Sequence, residues 1–159
     1  MTKLIISLLS FIFIISTIAE SQEKPEKMNQ NQTGITISLD DYLWKHRVLV
    51  VSAPSEENEN YKVQKEVLSV AKEGLSERDM VLISVFDQGN AYINGRQISD
   101  SSAETIKERL VESGNRFTVK LIGKDGTTKL RKNEILSVDE LFRTIDRMPM
   151  RQREMRESG

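Results

Sequence analysis

Apolar and polar positions along the chain fall into blocks whose period changes several times. Leu4 to Ala19 is almost uninterrupted apolar, LIISLLSFIFIISTIA, with Lys3 just ahead of it. The next stretch, Glu20 to Thr33 (ESQEKPEKMNQNQT), is polar and has no apolar periodicity. Folded patterning begins near Gly34. Ser38 stands before LDDYLWKH, an N-cap with acid in the first turn, and predicts a short helix carrying Leu39, Tyr42 and Leu43. Arg47 to Ala53 (RVLVVSA) is a continuous aliphatic run, the pattern of a strand covered on both faces. Asn58 to Leu75 spaces Val63, Val67, Val70, Ala71 and Leu75 as the buried stripe of one amphipathic helix. Met80 to Phe86 (MVLISVF) is a second buried strand. Strand, helix, strand makes a βαβ unit with parallel strands and a right-handed crossover.

The second half changes character. Asp87 to Asp100 is a polar insert whose Asn94-Gly95 pair signals a small hairpin or a mobile loop. Ser101 with Glu104 reads as a capping box opening a helix that bears Ala103, Ile106 and Leu110, and Gly114 is its stop. Phe117 to Ile122 and Thr127 to Lys132 flank Lys124-Asp125-Gly126, which predicts a hairpin closed by a type I′ turn. Ser137 and Glu140 form another capping box, followed by Val138, Leu141, Phe142, Ile145 and Met148 until Pro149 interrupts. There is no internal repeat. This order of elements gives an α/β domain. By analogy its arrangement is thioredoxin-like: a four-stranded mixed sheet of order 2-1-3-4 with helices on both faces.

The N-terminal apolar run reads as an address. Thr17 and Ala19 supply the small residues a signal peptidase needs, so cleavage falls after Ala19. The run is shorter than the roughly 20 residues that span a bilayer as a helix; an uncleaved anchor is the alternative. The expected organisation is therefore a signal peptide at 1–19 and a flexible leader at 20–33. A single domain follows at 34–159, ending in a basic, Met-containing segment. The expected destination is secreted or periplasmic, with no membrane span after cleavage.

Composition narrows the chemistry. The chain of 159 residues has no cysteine and one histidine, which excludes disulfides, thiolate metal sites, cysteine nucleophiles and multi-histidine metal centres. Its 23 basic and 24 acidic side chains give a formal net charge of -1, so nothing pulls it globally toward nucleic acid. A redox thioredoxin-like protein places a nucleophilic Cys after its first core strand, where a helix N-terminus stabilises the thiolate. Here that stretch is Ala53-Pro54-Ser55-Glu56-Glu57-Asn58-Glu59, without sulfur and crowded with carboxylates. The proline that fold usually carries before its third strand is also missing from Gly114-Asn115-Arg116-Phe117. Ser55 lacks a base, because His46 lies beyond the far end of the strand. No cofactor is implied.

Several features remain that bind without reacting. Lys124, Lys129, Arg131 and Lys132 cluster near one turn; they make an anion-binding tip or simply charge an edge strand against aggregation. Arg143, Arg147 and Arg151 recur every four residues, and Met148, Met150 and Met155 are interspersed among the basic residues. That mix docks a protein partner or a polyanion, or else is a solvated terminus. Asp40-Asp41 and Glu56-Glu57-Glu59 match no calcium loop and mark helix starts. Arg78-Asp79 reads as an ion pair in a turn, and Trp44 and His46 as residues that pack at a helix-to-strand junction.

Particular strings extend the picture. They are Tyr42-Leu43-Trp44, Arg47-Val48-Leu49-Val50, Glu77-Arg78-Asp79-Met80-Val81, Leu121-Ile122-Gly123-Lys124-Asp125-Gly126 with Lys129, and Ile145-Asp146-Arg147-Met148-Pro149-Met150-Arg151 with Glu154-Met155. Together they resemble a domain-of-unknown-function family of exported bacterial proteins, found also in vertebrate sushi-repeat-containing extracellular proteins and in a related multi-copy matrix protein. The resemblance covers roughly Leu39 to Met155. It implies a thioredoxin-like fold without redox cysteines and, from the vertebrate relatives, extracellular protein contacts; it assigns no catalytic residue. The expected function is a non-catalytic interaction module. Its candidate surface is Lys124, Asp125, Lys129, Arg78, Arg147, Met148, Met150 and Arg151, facing an extracytoplasmic protein or polyanion. The alternative is an enzyme acting on an anionic substrate at Lys124, Arg78 and Arg151.

Overall fold

A computed structural model of the chain describes residues 34–111 and 116–157. Its central strand, β1 (Arg47–Ala53), is buried along all its length. The aliphatic run requires this, because side chains alternate between two faces and both must be covered. β2 (Met80–Phe86) pairs with β1 in parallel, and β5 (Thr118–Ile122) pairs with it antiparallel on the other side. β6 (Thr128–Lys132) closes the hairpin with β5.

The sequence anticipates four strands, and the sheet has six. β3 (Tyr92–Ile93) and β4 (Arg96–Gln97) arise from the polar insert and give the order β4-β3-β2-β1-β5-β6. Two-residue strands are too short to leave an alternation signal, and only the Asn94-Gly95 pair announces them. Both turn residues have positive φ, 47° and 79°, the geometry of a type I′ turn. The turn at Lys124 differs from the expected type I′, since only Gly126 has positive φ, at 76°. A Cβ at Gly126 would also lie 2.7 Å from Leu43, so glycine is required there twice over.

Helices cover the two faces unequally. Leu49, Val51 and Ala53 pack on one face with Tyr61 and Leu68 of α1 (Glu59–Ser69) and Leu141 and Ile145 of α4 (Val138–Asp146). Val48, Val50 and Ile83 pack on the other with Ala103 and Ile106 of α3 (Asp100–Leu110). The predicted single helix over 58–75 breaks into α1 and α2 (Lys72–Glu77). Of the predicted stripe, Leu75 packs against the core and Val67 and Ala71 are half-buried, but Val63 and Val70 are exposed, Val70 at 83%. Tyr61, Gln64 and Leu68 are buried instead, at the same helical spacing. Gln64 earns its place by clamping a loop, donating to the Leu136 carbonyl at 3.0 Å and accepting from its N–H at 2.7 Å.

Two caps also shift. α3 starts at Ser99, not Ser101, with the Ser99 hydroxyl accepting from the Ser102 N–H. Pro149 interrupts α4 as expected and then opens α5 (Pro149–Glu157), where a missing N–H costs nothing. The signal peptide, the leader and the Gly114 stop lie outside the described residues.

Candidate functional site

The end of the sheet where β1 and β2 begin, and where β5 turns into β6, gathers the charges the sequence singles out. Arg47 is the first residue of β1 and is only 1% exposed. Its guanidinium donates to the Arg78 carbonyl at 3.0 Å and to both Glu154 oxygens at 3.1 Å. Lys124, from the β5–β6 turn, reaches Asp79 at 2.7 Å and the same Glu154 at 2.8 Å. Arg78 makes a two-pronged contact with Asp146, at 2.9 and 2.7 Å, and lies 4.0 Å over the ring of Phe142. Arg151 donates to the Glu77 carbonyl and carboxylate and sits 3.5 Å from Asp146.

These groups form one network, with Arg47, Arg78, Lys124 and Arg151 facing Glu77, Asp79, Asp146 and Glu154. Charges balance within it. Burial alone pushes the Glu154 carboxyl up, but the Lys124 hydrogen bond and the Arg47 charge outweigh that and hold it below the usual carboxylate range. The network ties α5 across the start of the central strand.

The structure brings the candidate surface residues to this one end, yet turns them in different directions. Arg78, Lys124 and Arg151 point into the network, and their charge is used inside the molecule. Lys129 pairs with Asp125 at 2.7 Å, and that hydrogen bond holds the Asp125 carboxyl below its usual range. The turn's own donors are also satisfied: Gly126 N–H bonds Gly123 O, and Thr127 N–H bonds Asp125. Met148 is half-buried against the core and Met150 is half-buried. Arg147 is exposed, without an ion pair among the described residues, whereas Arg151 is buried. Arg143, Arg147 and Arg151 therefore do not form one exposed face, because Pro149 resets the helix between them.

Trp44 departs most from expectation. It is 67% exposed instead of packed, and its φ is 63°, a left-handed conformation that side-chain-bearing residues avoid. Its N–H donates to the Lys124 carbonyl at 2.7 Å, which anchors this backbone to the network's turn. Met155, directly after Glu154, is a second exposed apolar group at 41%. Arg47 and Glu154 are members of the network that no local motif in the sequence marks as a site. An arginine opening an otherwise apolar buried strand was the available signal, since such a charge needs a partner.

At the opposite end, where redox chemistry would sit, Pro54, Ser55 and Glu56 follow β1. The Tyr92 hydroxyl donates to Glu56 at 2.8 Å, and Tyr61 bonds Ser84 at 3.3 Å. The Glu56 contact holds the Tyr92 phenol above its ordinary range, so the hydroxyl stays a neutral donor. Among the described residues no group of three or more His, Asp or Glu could hold a metal ion. With no cysteine in the chain, thiol redox chemistry has no group to perform it.

Comparison with known proteins places this arrangement. The sushi repeat-containing protein SRPX2 of Rattus norvegicus is 30% identical over 125 residues, covering 77% of this chain and 27% of the relative. The sushi repeat-containing protein SRPX of Homo sapiens is 30% identical over 120 residues, covering 74% and 26%. The chain thus spans about a quarter of the length of these relatives. Among solved structures, reduced 2-Cys peroxiredoxin of Plasmodium vivax superposes with a TM-score of 0.53 at 18% identity, covering 75% of this chain and 85% of that one. Thioredoxin peroxidase I of Plasmodium yoelii gives 0.54 at 19% identity, covering 74% and 80%. These likenesses establish an α/β thioredoxin-like fold. The family model that matches residues 38–154 is described as a domain of unknown function, DUF4174, and the chain belongs to that family.

Proposed function

We propose that the chain is an exported, non-catalytic interaction module that meets an extracytoplasmic protein through the end of the domain carrying Trp44. One observation carries the reading: a tryptophan held 67% exposed in a left-handed backbone, pinned by the Lys124 carbonyl. Strain retained at an exposed aromatic points to use, because the fold gains little from that indole. Tryptophan is also the residue type most enriched where binding energy concentrates. Met155 follows Glu154, which Lys124 contacts, and Asp125 pairs with Lys129 at the same turn; Arg147 and Met150 lie at the start of the segment that leads to them.

The alternative enzyme needs Lys124, Arg78 and Arg151 free to receive an anionic substrate. Each already faces carboxylates of its own chain, which argues against that use. The vertebrate relatives are named for sushi repeats, which supports export and protein contacts here. Two measurements test the reading. A photo-crosslinking residue at Met155, which leaves Trp44 in place, should trap a discrete partner in the native extracytoplasmic fraction, and one at Val63 should not; identical products from both positions, or none, would overturn it. N-terminal sequencing should return a chain starting at Glu20, and a start at Met1 would refute cleavage.

A further inference from the structure

The two faces of the sheet are not equally covered, and the uncovered part is a groove. α3 lies over Val81, Ile83, Val85 and Ile93 on one face. On the other, α1 stands over β1 and α2 runs on into the start of β2, while the alternate residues of β2, Met80, Leu82 and Ser84, lie beside them. Met80 and Leu82 stay only half-buried. The β3–β4 hairpin, with Tyr92 and Gly95, forms the far wall. The result is a wide cleft of about 520 Å³ with Leu68, Leu75, Met80 and Leu82 along it. It continues into a narrower one of about 190 Å³ that ends at the Tyr61–Ser84 and Tyr92–Glu56 hydroxyl contacts. Lys65, Leu68, Leu82 and Gly95 line both parts. The wide part alone has the volume of a typical small-molecule site.

Charge decides what kind of molecule fits. Lys65 and Lys72 stand seven residues apart on the α1–α2 wall, both exposed. Neither makes an ion pair among the described residues, in a domain whose other cations at the network end are paired with care. The single carboxylate lining the groove, Glu56, sits at its far narrow end and is engaged by Tyr92. An apolar trough with two free cations on one rim is complementary to a molecule with an apolar body and one negative head.

We propose that this groove binds a single-chain amphiphile with an anionic head, of the long-chain carboxylate type. The alkyl chain lies along Leu68, Leu75, Met80 and Leu82, and the carboxylate meets Lys65 and Lys72. This site is separate from the Trp44 end, and either can fail without the other.

The test is calorimetric titration of the purified full chain with tetradecanoate below its micelle concentration. Dodecyltrimethylammonium and dodecyl maltoside serve as cationic and uncharged comparisons. Residues 4–19 are themselves apolar, so the reading is the difference between the wild type and groove variants. Ser69→Trp places an indole into the groove from an exposed wall position and leaves the core untouched. It should abolish the groove-dependent heat. Lys65→Glu with Lys72→Glu should weaken tetradecanoate about tenfold or more and leave the maltoside unchanged, as expected for losing two surface charge contacts. Equal affinity for all three heads, or tetradecanoate binding unchanged in Ser69→Trp, would overturn the proposal. So would the absence of any tetradecanoate binding.

Discussion

Arg47 and Glu154 lie 107 residues apart in sequence, and one terminal nitrogen of the arginine sits 3.1 Å from both oxygens of the glutamate. This contact fastens the last helix to the first core strand. Around it the remaining charges of the network arrange themselves so that each buried cation has a carboxylate. The basic character of the C-terminal segment therefore belongs partly to the fold, and only its outward half is available to a partner.

Removing Glu154 should expose how much that fastening contributes. In Glu154→Ala the Arg47 guanidinium remains buried with no carboxylate, and Lys124 loses one of two partners. Leaving a buried charge unpaired costs about 3 kcal/mol, a large part of the roughly 5–15 kcal/mol that holds a domain folded. Lys62→Ala, which breaks the exposed pair with Glu57, should leave stability close to that of the wild type. Urea unfolding of the two variants separates these outcomes, and equal losses would mean the network contributes nothing special.

Acid should loosen the same fastening. The Glu154 carboxyl is depressed in the folded state relative to its ordinary value of 4.5. A depressed carboxylate contributes stability that is complete above its unfolded value and is lost as pH falls through the folded one. Asp125 acts in the same direction. Stability measured by urea unfolding should therefore hold between pH 7 and 5 and decline below about 4.5. Glu154→Gln should start lower at pH 7 and show a shallower decline, since the group that titrates is gone.

Gln64 offers a different kind of test, because its loss removes no charge. It is fully buried and satisfies both backbone groups of Leu136, at 3.0 and 2.7 Å. Gln64→Leu keeps the helix face apolar but leaves a buried N–H and a buried carbonyl unpaired. Each unpaired group costs about 1–3 kcal/mol, so a loss of roughly 3 kcal/mol is expected. A neutral or stabilising result would show that water replaces the amide.

Gln64 also marks the limit of what the sequence discloses. The order of elements was legible because aliphatic runs, capping serines and the Asn94-Gly95 pair act locally. The identity of the buried helix face was not: Val63 and Val70 look like core and are exposed, while a glutamine is inside for the sake of a loop 72 residues away. The charged site behaves the same way. Arg78, Lys124 and Arg151 were visible as a basic set, but their partners Asp146, Glu154 and Glu77 are set by tertiary contact. Local pattern records which side chains need partners, and only the fold decides where the partners come from.

Trp44 can be separated from stability by a glycine. A left-handed backbone costs a side-chain-bearing residue about 1–2 kcal/mol, and glycine relieves it while losing about 0.5–1 kcal/mol to the freedom of the unfolded chain. Trp44→Gly should thus be neutral or more stable by about 0.5 kcal/mol. A buried tryptophan would instead lose about 3–5 kcal/mol on truncation. Trp44→Gly in a chain carrying the crosslinker at 155 should lose the partner captured there, since the anchoring indole is gone and the Lys124 carbonyl contact is kept. Thermal unfolding and partner capture, measured on one preparation, make the two effects independent. If stability falls by several kcal/mol, the indole serves the fold; if partner capture survives, the docking surface lies elsewhere.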